Sequence, residues 1–226
     1  MTANVRRVRA LHRRLLKYFG SLEPPRRSDP LEELVLTVLS QNTSDVNSFR
    51  AYESLRARVP TWDDLARARP TEVAAAIRSG GLSNVKAPRI LAILRGIEKR
   101  EGHLDLSFLR GTGDAEARDY LTSLPGVGPK TAAVVLAFSL DRPALPVDTH
   151  VHRVAGRLGL IAPKASAARA QDTLEAITPP DIRVTMHVGL IRLGREICKP
   201  GRPRCEVCPL ADLCPTAPTI LRGPKA

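Results

Sequence analysis

The stretch LPGVGPKTAAVV, residues 124–135, decides how this chain is read. Gly126 and Gly128 flank Val127, and Pro129, Lys130 and Thr131 follow at once. A nucleotide-gripping Walker loop has its lysine directly after the last glycine and a strand before the loop. Here Pro129 intervenes, and an amphipathic helical pattern over residues 114–123 precedes the glycines. The nucleotide loop is therefore set aside. What remains is a tight turn between two helices.

Such a turn is either an ordinary αα-hairpin or a helix-hairpin-helix. In the second case Gly126 and Gly128 take φ > 0, which glycine does without penalty. Their N–H groups, with the N-terminus of the next helix, then hold one phosphate oxygen whatever the base sequence. Lys130 falls in the first turn of that helix. The helix dipole disfavours an ammonium ion there, and partial burial would act the same way, leaving some neutral amine as a nucleophile. A further phosphate contact is the simpler role.

Charge tilts the choice towards DNA. The 226 residues carry a formal net charge of +12. Residues 1–29 hold eight Lys/Arg against two Asp/Glu, and residues 183–226 hold eight against three. The ends thus supply nearly the whole surplus, as a polyanionic partner would require. Aromatics are scarce at 4%, so the core must rest on Leu, Val, Ile and Ala. No apolar run reaches the roughly 18 residues of a membrane span, and the Arg-rich N-terminus lacks the apolar stretch of a signal peptide. A cytoplasmic, nucleoid-associated monomer without membrane contact is expected.

Apolar residues recur at helical spacing almost throughout, and no strand pattern emerges, so an all-α fold is expected. Val5, Val8, Leu11, Leu15 and Phe19 form one stripe. Asp29 and Glu32 suggest a capping box around Pro30. Further helices are expected over 45–55, after Thr61 and after Thr71, the last ending at Gly80-Gly81. Asn84 is the expected cap of the next helix, placing Pro88 near its start. Helices over 129–140, 149–158, 166–177 and 181–197 follow, about eleven in all. The residues after Cys214 read as a loose tail.

Two further motifs carry chemistry. Cys198, Cys205, Cys208 and Cys214 have the spacing C-x6-C-x2-C-x5-C. Four thiolates within so short a span close around one metal centre, a tetrahedral zinc or a [4Fe–4S] cluster. The single C-x2-C and the longer gaps favour the bulkier cluster over zinc. The first loop, CKPGRPRC, would project Lys199, Arg202 and Arg204 from a rigid turn, either as phosphate contacts or as a solvated basic loop. The other motif is PVDTHVHRV, residues 146–154. Asp148 is an N-cap by position, and a carboxylate so held can also face a cleft. His150 and His152 read as packing or polar contacts.

LPGVGPKTAAVVL, VDTHVHRV and the four cysteines, in this order and spacing, closely resemble the endonuclease III family of helix-hairpin-helix DNA glycosylases. The resemblance covers about residues 5–215. It implies a two-domain fold with DNA in the cleft between the domains. One is a six-helix bundle, residues 30–142. The other is a discontinuous iron–sulfur domain, residues 1–29 and 143–226. It implies a largely structural [4Fe–4S] cluster, and double-stranded DNA bearing damaged pyrimidines or abasic sites as substrate. By the same resemblance, Lys130 attacks C1′ of the deoxyribose and forms a Schiff base that permits β-elimination, and Asp148 assists. GLSNVKA (81–87) is similar to the family's GLYNSKA, which makes Leu82 the residue that wedges into the duplex. LSQNTSD (39–45) is similar to LSAQATD, whose glutamine fills the gap left by the flipped base. Asn42 stands in that place, preceded by Gln41, and either could instead cap the helix from Asp45. Mismatch and adenine glycosylases share the fold but lack the lysine nucleophile. A DNA-binding protein without activity would need neither Lys130 nor Asp148.

Overall fold

The computed structural model describes residues 3–24 and 28–222. Among these the regular structure is helical, without strands. In order the α-helices are α1 (Ala3–Phe19), α2 (Pro30–Ser40), α3 (Asp45–Arg58), α4 (Trp62–Arg67), α5 (Pro70–Ala76), α6 (Ser83–Glu101), α7 (Asp114–Thr122), α8 (Pro129–Phe138), α9 (Thr149–Arg157), α10 (Ala167–Ile177), α11 (Arg183–Glu196) and α12 (Ala217–Leu221). The chain divides into two compact units, Arg27–Asp141 and the pair of segments Met1–Arg26 and Arg142–Ala226.

The continuous unit is built around α8. Its residues from Thr131 to Ala137 are all buried, and its alanines let neighbouring helices approach closely. α2 packs against α8 and α3, α5 against α6, and α7 against α8. Leu34, Val35 and Val38 of α2 and Ile90, Leu94 and Ile97 of α6 are excluded from solvent. Removing such side chains from water is worth about 1.5–3 kcal/mol each, which outweighs the modest propensity of the β-branched members for helix.

In the discontinuous unit Val8, Leu11 and Leu15 of the α1 stripe are buried, and α1 packs on α11 and α10. Val5 and Phe19 at its ends are only half-buried. α9 crosses α11 at Gly194, where a Cβ would stand 3.0 Å from that of His150. A side chain there would crowd His150 and Arg153.

The local signals held in part. Asp29 caps α2 by accepting from Leu31 and Glu32 N–H, but the reciprocal arm of the box, from Glu32 back to the Asp29 N–H, does not form. α5 begins at Pro70 rather than after Thr71; Arg69 is its cap residue and Glu72 reaches back to the Arg69 N–H. α6 starts before Asn84, with Leu82 as its cap residue in the left-handed region, and Pro88 lies in its second turn. Residues 215–222 are not a loose tail: α12 forms there, and Ala217 is buried, while residues 223–226 lie outside the described residues.

Candidate nucleic-acid interface and cysteine centre

In the continuous unit the glycine turn joins α7 to α8. Gly126 has φ +76°, whereas Gly128 does not take positive φ: it is the extended N-cap residue of α8, at φ −91°. One left-handed residue suffices because Val127 N–H donates back to Leu124 O at 3.1 Å and closes the turn. Val127 is 5% exposed and anchors the turn in the core. A Cβ on Gly128 would meet nothing within 4 Å, so this glycine keeps the approach to the helix end clear. Lys130, half-buried, and Thr131, buried, occupy the first turn of α8. An anion placed at this helix end would meet the first-turn N–H groups and the positive pole of the dipole.

Besides Asp141 at its end, two other corners of the same unit carry left-handed non-glycine residues. Asn42 has φ +54° and is exposed, just after Gln41 closes α2. Leu82 has φ +51° and is 54% exposed. An L-residue pays about 1–2 kcal/mol for this region, and an exposed leucine gains nothing by burial to offset it. The first turn of α6 holds this conformation, with Val85 and Lys86 N–H both donating to Leu82 O, and the preceding corner packs tightly: a Cβ on Gly80 would stand 3.0 Å from that of Ala51.

Two side chains that sequence reasoning passed over hold these corners. Lys86 is 2% exposed, and its Nζ donates to Leu39 O and Gly80 O, each at 2.7 Å. Burial pushes its pKa below the usual lysine value. The ammonium thus caps the C-terminal end of α2 and pins the Gly80–Leu82 corner to it. Arg89, one turn on, donates from Nη1 to Gln41 Oε1 at 2.8 Å. No local pattern announces either contact, since the partners of both cations at the end of α2 lie 47 and 48 residues away.

In the discontinuous unit Asp148 is the N-cap of α9, its Oδ1 accepting from Val151 N–H at 2.7 Å. The bond fixes the carboxylate at the helix end while Oδ2 stays available to a second donor. His150 Nδ1 pairs with Arg153, and His152 Nε2 with Ala165 O. Cys198, Cys205, Cys208 and Cys214 line one partly open pocket, with Leu158, Leu193 and Ile197 among its apolar walls. Burial, and then the neighbouring thiols, push the Cys208 thiol up to about 11, and Cys205 shifts the same way. Four thiolates in such a site need a cationic core to neutralise them. Four thiolates lining one site are a donor set that fits an iron–sulfur cluster.

Arg153 and Arg157 of α9 brace the centre. Arg153 donates to Cys198 O and Gly194 O at 3.0 and 2.9 Å. Arg157 donates to Cys198 Sγ at 3.2 Å, Lys199 O at 2.8 Å and Pro200 O at 2.7 Å. The loop they hold carries Lys199, Arg202 and Arg204, all exposed, with Arg204 also donating to Glu196 O at 2.9 Å.

Residues 35–180 match the family model described as HhH-GPD superfamily base excision DNA repair protein. The chain is 35% identical over 208 residues to endonuclease III of Thermotoga maritima, covering 92% of both chains. The chain belongs to the endonuclease III family. Endonuclease III of Bacillus subtilis is 35% identical over 188 residues, covering 83% of this chain and 81% of its own. The solved structure of a trapped endonuclease III–DNA covalent intermediate, an estranged-adenine complex, superposes with a TM-score of 0.85 at 30% identity, covering 98% of this chain and all of that one. The family's iron–sulfur binding domain matches residues 198–214. This protein is accordingly a base-excision DNA glycosylase with a [4Fe–4S] cluster. The four cysteines would hold the cluster, which supplies a rigid cross-link between the end of α11 and the segment before α12. No helix among the described residues is long and apolar enough to cross a membrane.

Proposed function

We propose that this glycosylase is bifunctional, removing oxidised pyrimidines from duplex DNA and then cleaving 3′ to the abasic site. The observation that carries the reading is Lys130, the primary amine in the first turn of α8 immediately beyond the glycine turn. The Lys130 amine attacks C1′ of a nucleotide turned out of the stack. The N-glycosidic bond breaks, its electron pair leaves with the base, and the base takes up a proton. Ring opening gives a protonated Schiff base between Lys130 and C1′. Loss of a proton from C2′ then expels the 3′ phosphate by β-elimination. Asp148 takes the proton from the attacking amine or stabilises positive charge on the sugar.

The contacts are assigned by chemistry. Gly126 and Gly128, with the start of α8 at Lys130 and Thr131, grip a backbone phosphate, and Val127 anchors that grip. Leu82 is the wedge, an exposed apolar side chain carried on a left-handed backbone position. Gln41 and Asn42 fill the gap it opens. Lys199, Arg202 and Arg204 contact phosphates outside the lesion. The two compact units then correspond to a bundle domain and an iron–sulfur domain, and the protein acts as a monomer.

Borohydride reduction on a duplex with one abasic site tests the reading. The parent protein is expected to be trapped covalently. Lys130→Ala should abolish the adduct while retaining DNA binding, and Asp148→Asn should slow its formation. Persistent trapping of Lys130→Ala would overturn the assignment of the nucleophile. A panel of single-lesion duplexes, with release of free base as readout, tests the preference for oxidised pyrimidines.

A further inference from the structure

Arg89 makes a second contact besides Gln41. A Cβ built on Gly126 would stand 2.7, 2.8 and 3.0 Å from Arg89 Nε, Cδ and Cγ. The arginine stem therefore lies across the open face of the glycine turn, and its guanidinium ends on Gln41 Oε1, 2.8 Å away. A guanidinium has only donors, so it is the amide oxygen of Gln41 that faces it. Gly126 and Gln41 belong to different corners of the continuous unit, and this one half-buried side chain touches both. Lys86, three residues earlier on the same face of α6, fixes the end of α2 and the Leu82 corner in the same manner.

We propose that Arg89 is a positioning residue of the glycosylase reaction: it straps the phosphate-gripping turn to the Gln41–Asn42 corner, so both engage one duplex in a fixed register. The inference rests on the proposed function for the roles of those two corners. It has a consequence for specificity. With Oε1 committed to Arg89, Gln41 offers the orphaned base only its two N–H donors, and the amide cannot flip to offer an acceptor.

The alternative is that Arg89 is simply one more phosphate contact. A thermodynamic cycle separates the two, using the full cluster-bearing protein on abasic duplexes with each of the four bases opposite. The variants are Arg89→Ala, Arg89→Lys, Gln41→Ala and the double Arg89→Ala/Gln41→Ala, with binding and single-turnover trapping as readouts. A strap predicts that Arg89→Ala slows trapping about tenfold through misplacement, and that the double variant is no slower than the single. It also predicts altered discrimination among opposite bases, an unchanged dependence of binding on salt, and only partial rescue by Arg89→Lys. A phosphate contact instead gives additive losses, full rescue by lysine and a salt slope reduced by about one; that pattern would overturn the proposal. Should Arg89→Ala melt early, Arg89→Met keeps the stem over Gly126 and removes only the guanidinium. A parent protein that binds but is not trapped would sink the lyase reading instead, and the binding cycle would still decide the strap.

Discussion

Lys86→Met is the substitution whose outcome the structure constrains most. The methionine is apolar and of similar length, so it fills most of the space that the lysine stem occupies. What it removes is the ammonium, and with it both 2.7 Å bonds to Leu39 O and Gly80 O. Hydrogen bonds to a charged group contribute about 1.5–3 kcal/mol each, so the gross loss is about 3–6 kcal/mol. Part returns, because an ammonium need no longer be desolvated, the same cost that lowers the pKa of Lys86. A net destabilisation of about 2–4 kcal/mol is expected, mostly from two carbonyls left without their donor. At about 2–4 °C per kcal/mol for a chain of this size, thermal melting by circular dichroism should fall by about 4–16 °C. Amide hydrogen exchange should accelerate selectively at residues 40–43 and 80–85, since these are the corners that the ammonium joins. A melting temperature within about 1 °C of the parent would refute the reasoning, because it would mean that water or the backbone replaces the lysine without cost.

Three other outcomes follow from the same kind of argument. Gly126→Ala must place a Cβ at φ +76° and displace Arg89; a loss of about 1–2 kcal/mol is expected by denaturant titration, and Arg89→Ala in the same chain should relieve only the part due to contact. Arg157→Met removes the donors to Cys198 Sγ, Lys199 O and Pro200 O, so iron should be released faster to a chelator, followed by the cluster's visible absorbance, while the purified protein starts with full iron content. His12 is buried against Thr185, and burial, opposed by Asp181, lowers its pKa below 6.5. The unfolded chain therefore takes up this proton first as pH falls, so the His12 contribution is full above about pH 6.5 and lost below it. His12→Gln should flatten the fall in melting temperature between about pH 7 and pH 5, and an unchanged slope would contradict the assignment.

Much of the fold was legible where its cause was local, although the start of α5 at Arg69 and Pro70 was not. Asp29, Thr61 and Asp148 cap helices through their own side chains, because a cap needs only a short acceptor two or three residues ahead of a free N–H; the cap of α3, however, is Ser44 and neither Gln41 nor Asn42, and Ser166 caps α10 from outside it. Reading stopped at the cap of α6. Asn84 has the right side chain, yet the helix begins earlier, from a leucine in a conformation that leucine disfavours. Local propensity was overruled by Lys86, which pulls the Gly80 carbonyl onto the end of α2 and so draws the corner in. Glycines show the same division. Gly126 announces a turn in the sequence, but its second reason for being glycine, the arginine stem across its face, belongs to a residue 37 positions earlier.

The candidate site divides along the same line. Lys130, Asp148 and the four cysteines stand in short motifs because each must be delivered by a specific backbone turn, and that turn has its own sequence requirements. Arg89 and Arg157 stand outside the motifs, and Lys86 and Arg153, though they fall within GLSNVKA and PVDTHVHRV, bear no mark there of what they hold, because a long cation can reach a carbonyl or an amide from many positions on a helix. Their partners are backbone oxygens for the most part, and a backbone oxygen leaves no trace in the residue type that carries it. The chemical groups can therefore be read from the chain while the groups that aim them cannot. Substitutions at the aiming positions should alter rates and opposite-base preference and leave the reaction itself intact.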